Sequence, residues 1–458
     1  MISRMKPSGS RCSIRSAAGW RIKLRKPHAP WLPDIRSMEL DPTVSSSSEL
    51  HQACDSASHQ GNSVFHLALE VFLLFLRLGC WSFGGPMAHL AIFHREVVIR
   101  RNWMSSEQYT RLMAMCQSLP GPGSSQQAFC IGLHRCGWLG GVAAIIGFAF
   151  PSATWLTIFA LWQPPASAWW WEAIQRSLLW FAIAVVLTGF RSMAQANCKT
   201  LFLRSLAVSA MIAQLAMPYP AIQLLSLMVC ALLATCCLPV SKSQGAQAAS
   251  IRAPKLAWIC IPVFFILLLV STWETTHGTS VAGRLTQLFR DTYVAGALVF
   301  GGGHVVLPLL EARWTAAGGI DHATFFAGYG AAQAIPGPMF TFGAFLGAHA
   351  APEPWKIPGA IVGLIGLFLP GLLLAAGMLP FWTYLAGRRW FHSASLGINA
   401  AVVGLLAATC IRPLGSHALH DPWDWLLVVS AFLLLESQRC TLPALLAMLA
   451  LIGLLIPM

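Results

Sequence analysis

Charged side chains are scarce in this sequence. Asp, Glu, Lys and Arg make up 10% of the 458 residues and hydrophobic residues make up 56%, whereas roughly a quarter of an ordinary soluble domain is charged. So few charges cannot cover the surface of a soluble fold. From about residue 65 onward, apolar stretches follow one another, each close to the roughly 20 residues that a helix needs to cross a bilayer. The composition predicts an all-α polytopic membrane protein.

Signatures of enzymes and cofactor sites are also missing. None of the thirteen cysteines forms a Cys-x-x-Cys pair, which argues against a metal site and against thiol redox chemistry. The sequence has no Gly-x-x-x-x-Gly-Lys-Ser/Thr phosphate loop and no Cys-x-x-Cys-His, which disfavours ATP hydrolysis and a membrane reductase. We expect no catalytic residue, no metal and no cofactor, and we expect gradients to drive any transport.

Acidic residues are outnumbered by Lys and Arg, 17 to 30, which gives a net charge of +13. Such an excess fits nucleic-acid binding, contact with anionic lipid, or topology signals in cytoplasmic loops, and we favour the last. Nine of the Lys and Arg residues lie within residues 1–36. They belong to a Ser-, Arg- and Pro-rich arm over residues 1–63, which we interpret as disordered or as preceding the true start. An organelle transit peptide is the alternative.

A basic linker over residues 241–255, rich in Ser, Gln and Ala, divides the apolar part into halves at 64–240 and 256–458. We count ten to thirteen crossings, and the range reflects segments interrupted by Gly and Pro. The predicted spans include Val64–Leu78, Gly137–Trp162, Tyr293–Leu310 and Phe325–Ala350.

Three motifs occur once in each half and in the same order. The offsets between the copies are 217, 216 and 219 residues, which indicates two homologous halves. A structural or accessory membrane subunit would not explain this duplication. The motifs are Phe83-Gly84-Gly85-Pro86 with Phe300-Gly301-Gly302-Gly303, Leu119-Pro120-Gly121-Pro122 with Ile335-Pro336-Gly337-Pro338, and Phe150-Pro151 with Leu369-Pro370.

Loop charge predicts that the halves are inverted. The loop after the first glycine motif carries four Arg and two Glu, whereas its counterpart carries Glu311, Arg313 and Asp321. Because positively charged loops stay in the cytoplasm, the first loop is expected inside and the second outside. This is the inverted-repeat arrangement of many secondary transporters.

The two Pro-Gly-Pro sequences must interrupt a helix, because proline removes a backbone donor and clashes with the preceding turn. Irregular backbone at membrane depth survives where protein or water surrounds it. The helix that restarts after each turn offers free N–H groups to an anion. The alternative is that the small residues only let helices cross closely. Further donors to the anion are predicted from Ser124, Ser125, Gln126, Gln333 and Thr341.

Other candidates are the motif glycines and a few ionisable residues, and each has a second interpretation. Gly84, Gly85 and Gly301 to Gly303 could approach either a ligand or a neighbouring helix. Arg77 is either a fixed charge in the path or a side chain that extends to the interface. His89 and His304 either bind an anion or proton or are satisfied by backbone carbonyls. Proton coupling and a simple loop or cap charge are both open for Glu96 and Glu311.

With these motifs in view, residues 65–458 resemble the chromate ion transporter (CHR) family in its long two-domain form. The resemblance rests on the Phe-Gly-Gly-Pro, Leu-Pro-Gly-Pro and Phe-Gly-Gly-Gly-His motifs, with Trp103 in the first loop and Pro308 in the second half. It implies a multi-pass protein of the bacterial inner membrane that exports chromate and confers chromate resistance. The alternative is a carrier of sulfate or another oxyanion, working either as an exporter or as an importer.

The resemblance and the motifs together define the predicted site and partners. The expected partners are chromate or its mimic sulfate, the lipid bilayer and a second copy of the chain, with no nucleic acid. The residues predicted to bind or conduct the anion are Arg77, Phe83, Gly84, Gly85, Pro86, His89, Pro120, Gly121, Pro122, Gln126, Gly301, Gly302, Gly303, His304, Gln333, Pro336, Gly337 and Pro338, with Glu96 and Glu311 for proton coupling.

Overall fold

The computed structural model of the chain contains two compact units, residues 1–61 and residues 62–458. In the first unit, β1 (Ser13–Arg15) and β2 (Arg21–Lys23) pair antiparallel. The rest of the predicted arm up to residue 62 and the predicted linker over 241–255 lie outside the described residues. The structure describes residues 13–15, 21–23, 63–83, 85–162, 164, 168–217, 219–238, 257–273, 280–300, 306–314, 320–386, 388–411, 421–437 and 440–455.

In the first half of the second unit, the secondary structure of the described residues consists of helices joined by turns. The longest helix, α4, is broken at Cys136 and Gly137, so it has a first and a second segment. Gly132 and Gly140 face each other across this break, so the two segments are antiparallel. The elements are α1 (Ser63–Trp81), α2 (Gly85–Phe93), a π-helix (His94–Arg100), α3 (Ser106–Ser118), α4 (Gly123–Leu161), α5 (Trp169–Asn197), α6 (Leu201–Ala216) and α7 (Pro220–Cys237).

The second half repeats this order. A short 3₁₀ turn (Ala257–Ile259) and α8 (Cys260–Thr272) precede the repeat, and a second 3₁₀ turn (Met339–Thr341) leads into α12. The other elements are α9 (Val281–Leu298), α10 (Val306–Trp314), α11 (His322–Ala334), α12 (Phe342–Ala350), α13 (Lys356–Met378), α14 (Trp382–Ala386), α15 (Arg389–Ile411), α16 (Pro422–Glu436) and α17 (Leu442–Leu455).

Five helices in the described residues are long and apolar enough to cross a membrane, namely α1, α4, α5, α13 and α15. The sequence predicted ten to thirteen crossings, and the difference lies in the short helices. The predicted span Phe325–Ala350, for example, consists of α11 and α12 separated by the second Pro-Gly-Pro sequence. Proline and glycine divide the apolar stretch into helices too short to span alone.

The helices α3 and α11 show how closely the halves correspond. Ser105 caps α3 by accepting a hydrogen bond from the Gln108 amide at 3.1 Å, and Asp321 caps α11 by accepting one from the Thr324 amide at 2.8 Å. Ser105 and Asp321 lie 216 residues apart, as do the ends of the two helices at Ser118 and Ala334. The predicted internal repeat is thus present in the fold.

Equivalent glycines also join the long helices within each half. Gly79 of α1 lies against the backbone oxygen of Phe148 in α4, and Gly296 of α9 lies against that of Leu367 in α13, with no room for a Cβ at either glycine. Phe148 lies about 15 Å along the second segment of α4, at 1.5 Å per residue. Gly79 and the turn that follows α1 therefore lie near the middle of a membrane-spanning helix.

The direction of the helices shows that the halves are inverted. Gly337 lies against Ser152, and the rings of Phe345 and Phe159 stack at 5.8 Å, so α12 runs parallel to the second segment of α4. The helix α13 runs back along α12, because glycines of the two helices meet in antiparallel order (Gly343 with Gly363, Gly347 with Gly359). The second segment of α4 and its counterpart α13 therefore point in opposite directions.

The last two helices of each half pack on the other half. The hairpin α6–α7 packs on α15, and the hairpin α16–α17 packs on α5. Asp424 of α16 accepts hydrogen bonds from Arg176 Nη2 at 2.8 Å and from the Trp180 indole at 2.8 Å, both in α5. Helix α5 of the first half is thus covered by the hairpin α16–α17 of the second half, and α15 of the second half is covered by the hairpin α6–α7 of the first.

Candidate functional site

The two Pro-Gly-Pro turns each contact the other half through the backbone. The Gly121 amide donates to the carbonyl oxygen of Val299 at 2.6 Å, and the Gly337 amide donates to the carbonyl oxygen of Ser82 at 3.1 Å. Val299 and Ser82 each lie directly before a Phe-Gly-Gly motif and are 217 residues apart. The Pro-Gly-Pro turn of each half is therefore bonded to the residue that precedes the Phe-Gly-Gly motif of the other half, and the two contacts are equivalent.

The residue that follows the third repeated motif, Phe150-Pro151 or Leu369-Pro370, also contacts a Pro-Gly-Pro turn of the other half. Gly121 has φ +120° and lies against Gly371, and Gly337 has φ +112° and lies against Ser152. A Cβ at Gly121 would lie 2.7 Å from the Gly371 Cα, and a Cβ at Gly337 would lie 2.8 Å from the Ser152 Oγ. Glycine is required at both turns, because the backbone angle excludes side chains and the approach leaves no space. Gly371 and Ser152 directly follow Pro370 and Pro151.

Gln126 connects the first turn to the second half. Its Nε2 donates to the carbonyl oxygen of Pro120 at 2.7 Å and to that of Gly371 at 2.9 Å. Both amide hydrogens are thereby used, and Oε1, which only accepts hydrogen bonds, is buried without a partner among the described residues. Gln126 was predicted as a donor to an anion. In this conformation it holds the turn in place instead.

The helix restart after the first turn is buried and polar. Pro122 directly precedes the first residue of α4 and therefore occupies the cap position of that helix. Ser125 Oγ is buried and has no partner among the described residues, and the first N–H groups of any helix lack intrahelical acceptors. The start of α4 therefore presents hydrogen-bond donors near the middle of the membrane-spanning helices, as the anion hypothesis requires.

The second turn offers fewer free groups. The Thr341 hydroxyl donates to the carbonyl oxygen of Pro338 at 2.7 Å. Gln333 Nε2 donates to the Tyr329 hydroxyl at 2.9 Å, and Met339 Sδ lies next to it. Thr341 and Gln333 are thus engaged within their own half, and the two turns differ in the donors that they present.

His89 of α2 connects Ser82, which follows α1, to Ser124 at the start of α4. Its Nε2 lies 3.1 Å from the Ser82 carbonyl oxygen and its Nδ1 lies 3.3 Å from the Ser124 hydroxyl. Because a carbonyl only accepts, Nε2 carries the hydrogen, and a neutral ring then accepts from Ser124 at Nδ1. The ring is buried against Phe93 and Phe148. Ser82 accepts from His89 and from Gly337 of the other half at once.

Several predicted residues lie apart from these contacts. The Arg77 side chain is on the exposed face of α1, Glu96 pairs with Arg100 at 2.5 Å, and Glu311 lies 3.5 Å from His322. Phe83 is exposed, and Gly85, with φ +75°, has open space around it. Gly84, the segment from Gly301 to His304 and the side chain of Pro86 lie outside the described residues.

Sequence reasoning missed Ser82, Val299, Ser152 and Gly371. Each of them lies directly beside a repeated motif and at the repeat offset from its counterpart. That spacing was the available signal, but the sequence does not tell which half a turn contacts.

Comparison with known proteins is consistent with this architecture. The sequence model of the chromate transporter family matches residues 69–238 and 286–454. The chain is 28% identical over 350 residues to a chromate transport protein of Pseudomonas aeruginosa, covering 75% of this chain and 80% of that protein. It is 24% identical over 419 residues to a chromate transport protein of Cupriavidus metallidurans, covering 84% and 92%. No solved structure matches the chain.

Proposed function

The chain belongs to the chromate transporter family, and on that premise we propose that it exports chromate from the cytoplasm across the inner membrane. Export would lower the cytoplasmic level of chromate and confer resistance to it. The family match over both halves supports a transported oxyanion. The apolar helices and the family together make the chain an integral membrane protein.

One observation carries the proposal: the Pro-Gly-Pro turn of each half is hydrogen-bonded to the other half, at Val299 and at Ser82. In inverted repeats, a site at the interface of the halves near the membrane midplane can face either side as one half moves against the other. Chromate is a dianion at neutral pH that offers only acceptors. Helix N–H groups and the Ser125 hydroxyl are suitable donors for it.

The membrane potential supports the outward direction. A potential of about 150 mV, negative inside, contributes roughly 7 kcal/mol to the exit of a dianion, at about 2.3 kcal/mol per charge per 100 mV. Export therefore needs no obligatory coupling ion. Import would need several co-transported cations.

A carrier of sulfate or another oxyanion is the second candidate. The donors at the first turn are backbone amides and hydroxyls, and Gln126 offers only a free acceptor. Such donors recognise a tetrahedral dianion by shape and charge. They do not by themselves distinguish chromium from sulfur at its centre.

Everted membrane vesicles test the proposal, because their outer face is the cytoplasmic face. We expect an inside-positive potential to drive chromate accumulation, excess sulfate to compete, and Ser125→Ala to reduce the rate with little change in protein level. Thr286→Ala, which alters an exposed hydroxyl of α9 bonded within its own helix, is the matched control. Accumulation of sulfate without chromate would favour the second candidate, and movement of neither anion would refute oxyanion transport.

A further inference from the structure

A cavity of about 400 Å³ lies between α1 and the π-helix, and no residue of the Pro-Gly-Pro turns lines it. Three guanidinium groups and one carboxylate line it, so its net charge is positive. The lining residues include Arg77, Trp81, Ile92, Arg95, Glu96 and Arg100.

The guanidinium groups are not equally neutralised. Arg100 pairs with Glu96 at 2.5 Å. Arg77 and Arg95 have no ion pair among the residues that the structure describes. Two unneutralised positive charges therefore line one cavity, and a dianion is their electrostatic complement.

The surroundings of the cavity are those of a membrane-facing surface. The exposed face of α1 next to Arg77 carries Leu73 and Trp81, and the exposed face of the π-helix next to Arg95 carries Ile99. Charges within an apolar membrane surface are costly and usually have a functional partner. A π-helix is itself uncommon and is frequently found at functional sites.

The cavity is near the Pro-Gly-Pro turn of the second half, and Arg77 and Arg95 have no basic counterpart at the repeat offset. Arg77 lies five residues before Ser82, about 8 Å along the helix axis, and Ser82 contacts the Pro-Gly-Pro turn of the second half. At the repeat offset of 217, the residues that correspond to Arg77 and Arg95 are Val294 and Ala312. Arg95 and Arg100 belong to the loop that its charge predicts to be cytoplasmic, so the cavity connects that loop to Arg77, two residues from Gly79.

We propose that this cavity is a loading site that binds the transported tetrahedral oxyanion from the cytoplasm, through Arg77 and Arg95, before the anion reaches the Pro-Gly-Pro turns. The proposal rests on the proposed function for the direction of transport. An exporter needs such a site on its cytoplasmic side only, and the loop that carries Arg95 and Arg100 is predicted to lie on that side. Glu96 limits the affinity by neutralising Arg100.

Transport kinetics in everted vesicles test this role. We expect Arg95→Gln to raise the KM for chromate about tenfold with a maximal rate within about twofold of wild type, and Arg95→Lys to raise it less. Glu96→Gln should lower the KM about threefold, because it frees Arg100. Structural damage would not improve affinity. Arg284→Gln, an exposed arginine of α9, is the matched control and should leave the KM unchanged.

The outcomes separate this proposal from the proposed function. A wild-type KM in Arg95→Gln, or a raised KM in Glu96→Gln, overturns the loading site while export stands. If wild type moves no chromate, equilibrium binding of radioactive chromate in phosphatidylcholine nanodiscs decides: binding that Arg95→Gln weakens supports the site although export fails. A lipid phosphate is the other source of the same chemistry. Arg95-dependent retention of phosphatidic acid, without Arg95-dependent chromate binding, overturns the loading role.

Discussion

Gly121 and Val299 are joined by a 2.6 Å backbone hydrogen bond, although they belong to opposite halves of the chain. The equivalent bond between Gly337 and Ser82 measures 3.1 Å. Both bonds use only backbone atoms, so their specificity comes from the shape of the turns and from their glycines. Any movement of one half against the other must keep or exchange these two bonds.

Alanine at the turn glycines should separate steric exclusion from backbone strain. Gly121→Ala should abolish transport and lower the melting temperature most, because its Cβ would meet the Gly371 backbone. Gly337→Ala should be milder, because it meets a serine side chain. The control is Gly137→Ala, with φ +71° and open space, which should cost only about 1–2 kcal/mol of backbone strain. Fluorescence-detected melting and vesicle transport provide the measurement, and equal losses in all three would contradict the packing argument.

Substitution of His89 should uncouple the first turn from the Phe-Gly-Gly motif. His89→Ala removes the bonds to the Ser82 carbonyl and the Ser124 hydroxyl. The Ser82 carbonyl keeps its bond to the Gly337 amide, whereas a buried group left unpaired costs about 1–3 kcal/mol. Ser124→Ala should cost less, since it removes only one bond. In a double-mutant cycle, Ser124→Ala should add little to His89→Ala. Fully additive melting shifts would show that the two side chains act independently.

The inverted arrangement predicts opposite labelling of two equivalent positions. Glu107 in α3 and Ala323 in α11 are exposed and lie 216 residues apart. With all thirteen cysteines replaced by serine, Glu107→Cys should react with a membrane-impermeant maleimide only in everted vesicles. Ala323→Cys should react only in intact spheroplasts. Labelling of both from the same side would contradict the inversion.

Asp424 should contribute more to stability than its neighbour Asp421. The Asp424 side chain is 2% exposed and pairs with Arg176, which is 26% exposed. Asp424→Ala should therefore cost somewhat less than the roughly 3–5 kcal/mol of a fully buried pair. Asp421, 60% exposed, is the control, and Asp421→Ala should cost at most about 1 kcal/mol. Denaturant titration in detergent measures both, and similar losses would indicate that the Asp424 contacts are not stabilising.

The sequence was sufficient for the repeat, the helical class and the breaks at the Pro-Gly-Pro turns, because proline and glycine act locally on the backbone. It could not show that Gly121 contacts Val299 rather than its own half, since that choice depends on the packing of whole helices. The division of the predicted span Phe325–Ala350 into two helices was likewise not evident. Composition alone does not distinguish one long span from the paired short helices α11 and α12.

The candidate site was predictable by residue type but not by role. Gln126 was an evident polar residue next to a turn, yet the carbonyls of Pro120 and Gly371 take both of its amide hydrogens. Arg77 was evident as a charge in an apolar stretch. Its position on the exposed face of α1 followed only from the packing of α1 against α4. The roles of the predicted residues in binding stay predictions.

The hairpins α6–α7 and α16–α17 each pack on the other half of the chain, and this has a consequence for synthesis. When α6 and α7 enter the membrane, α15, on which they pack, has not yet been made. At about 5–20 residues per second, α15 follows on the order of ten seconds later. During that interval Arg176 also lacks Asp424. The first half therefore waits in an unfinished state, exposed to membrane proteases and chaperones, until the last helices complete both halves together.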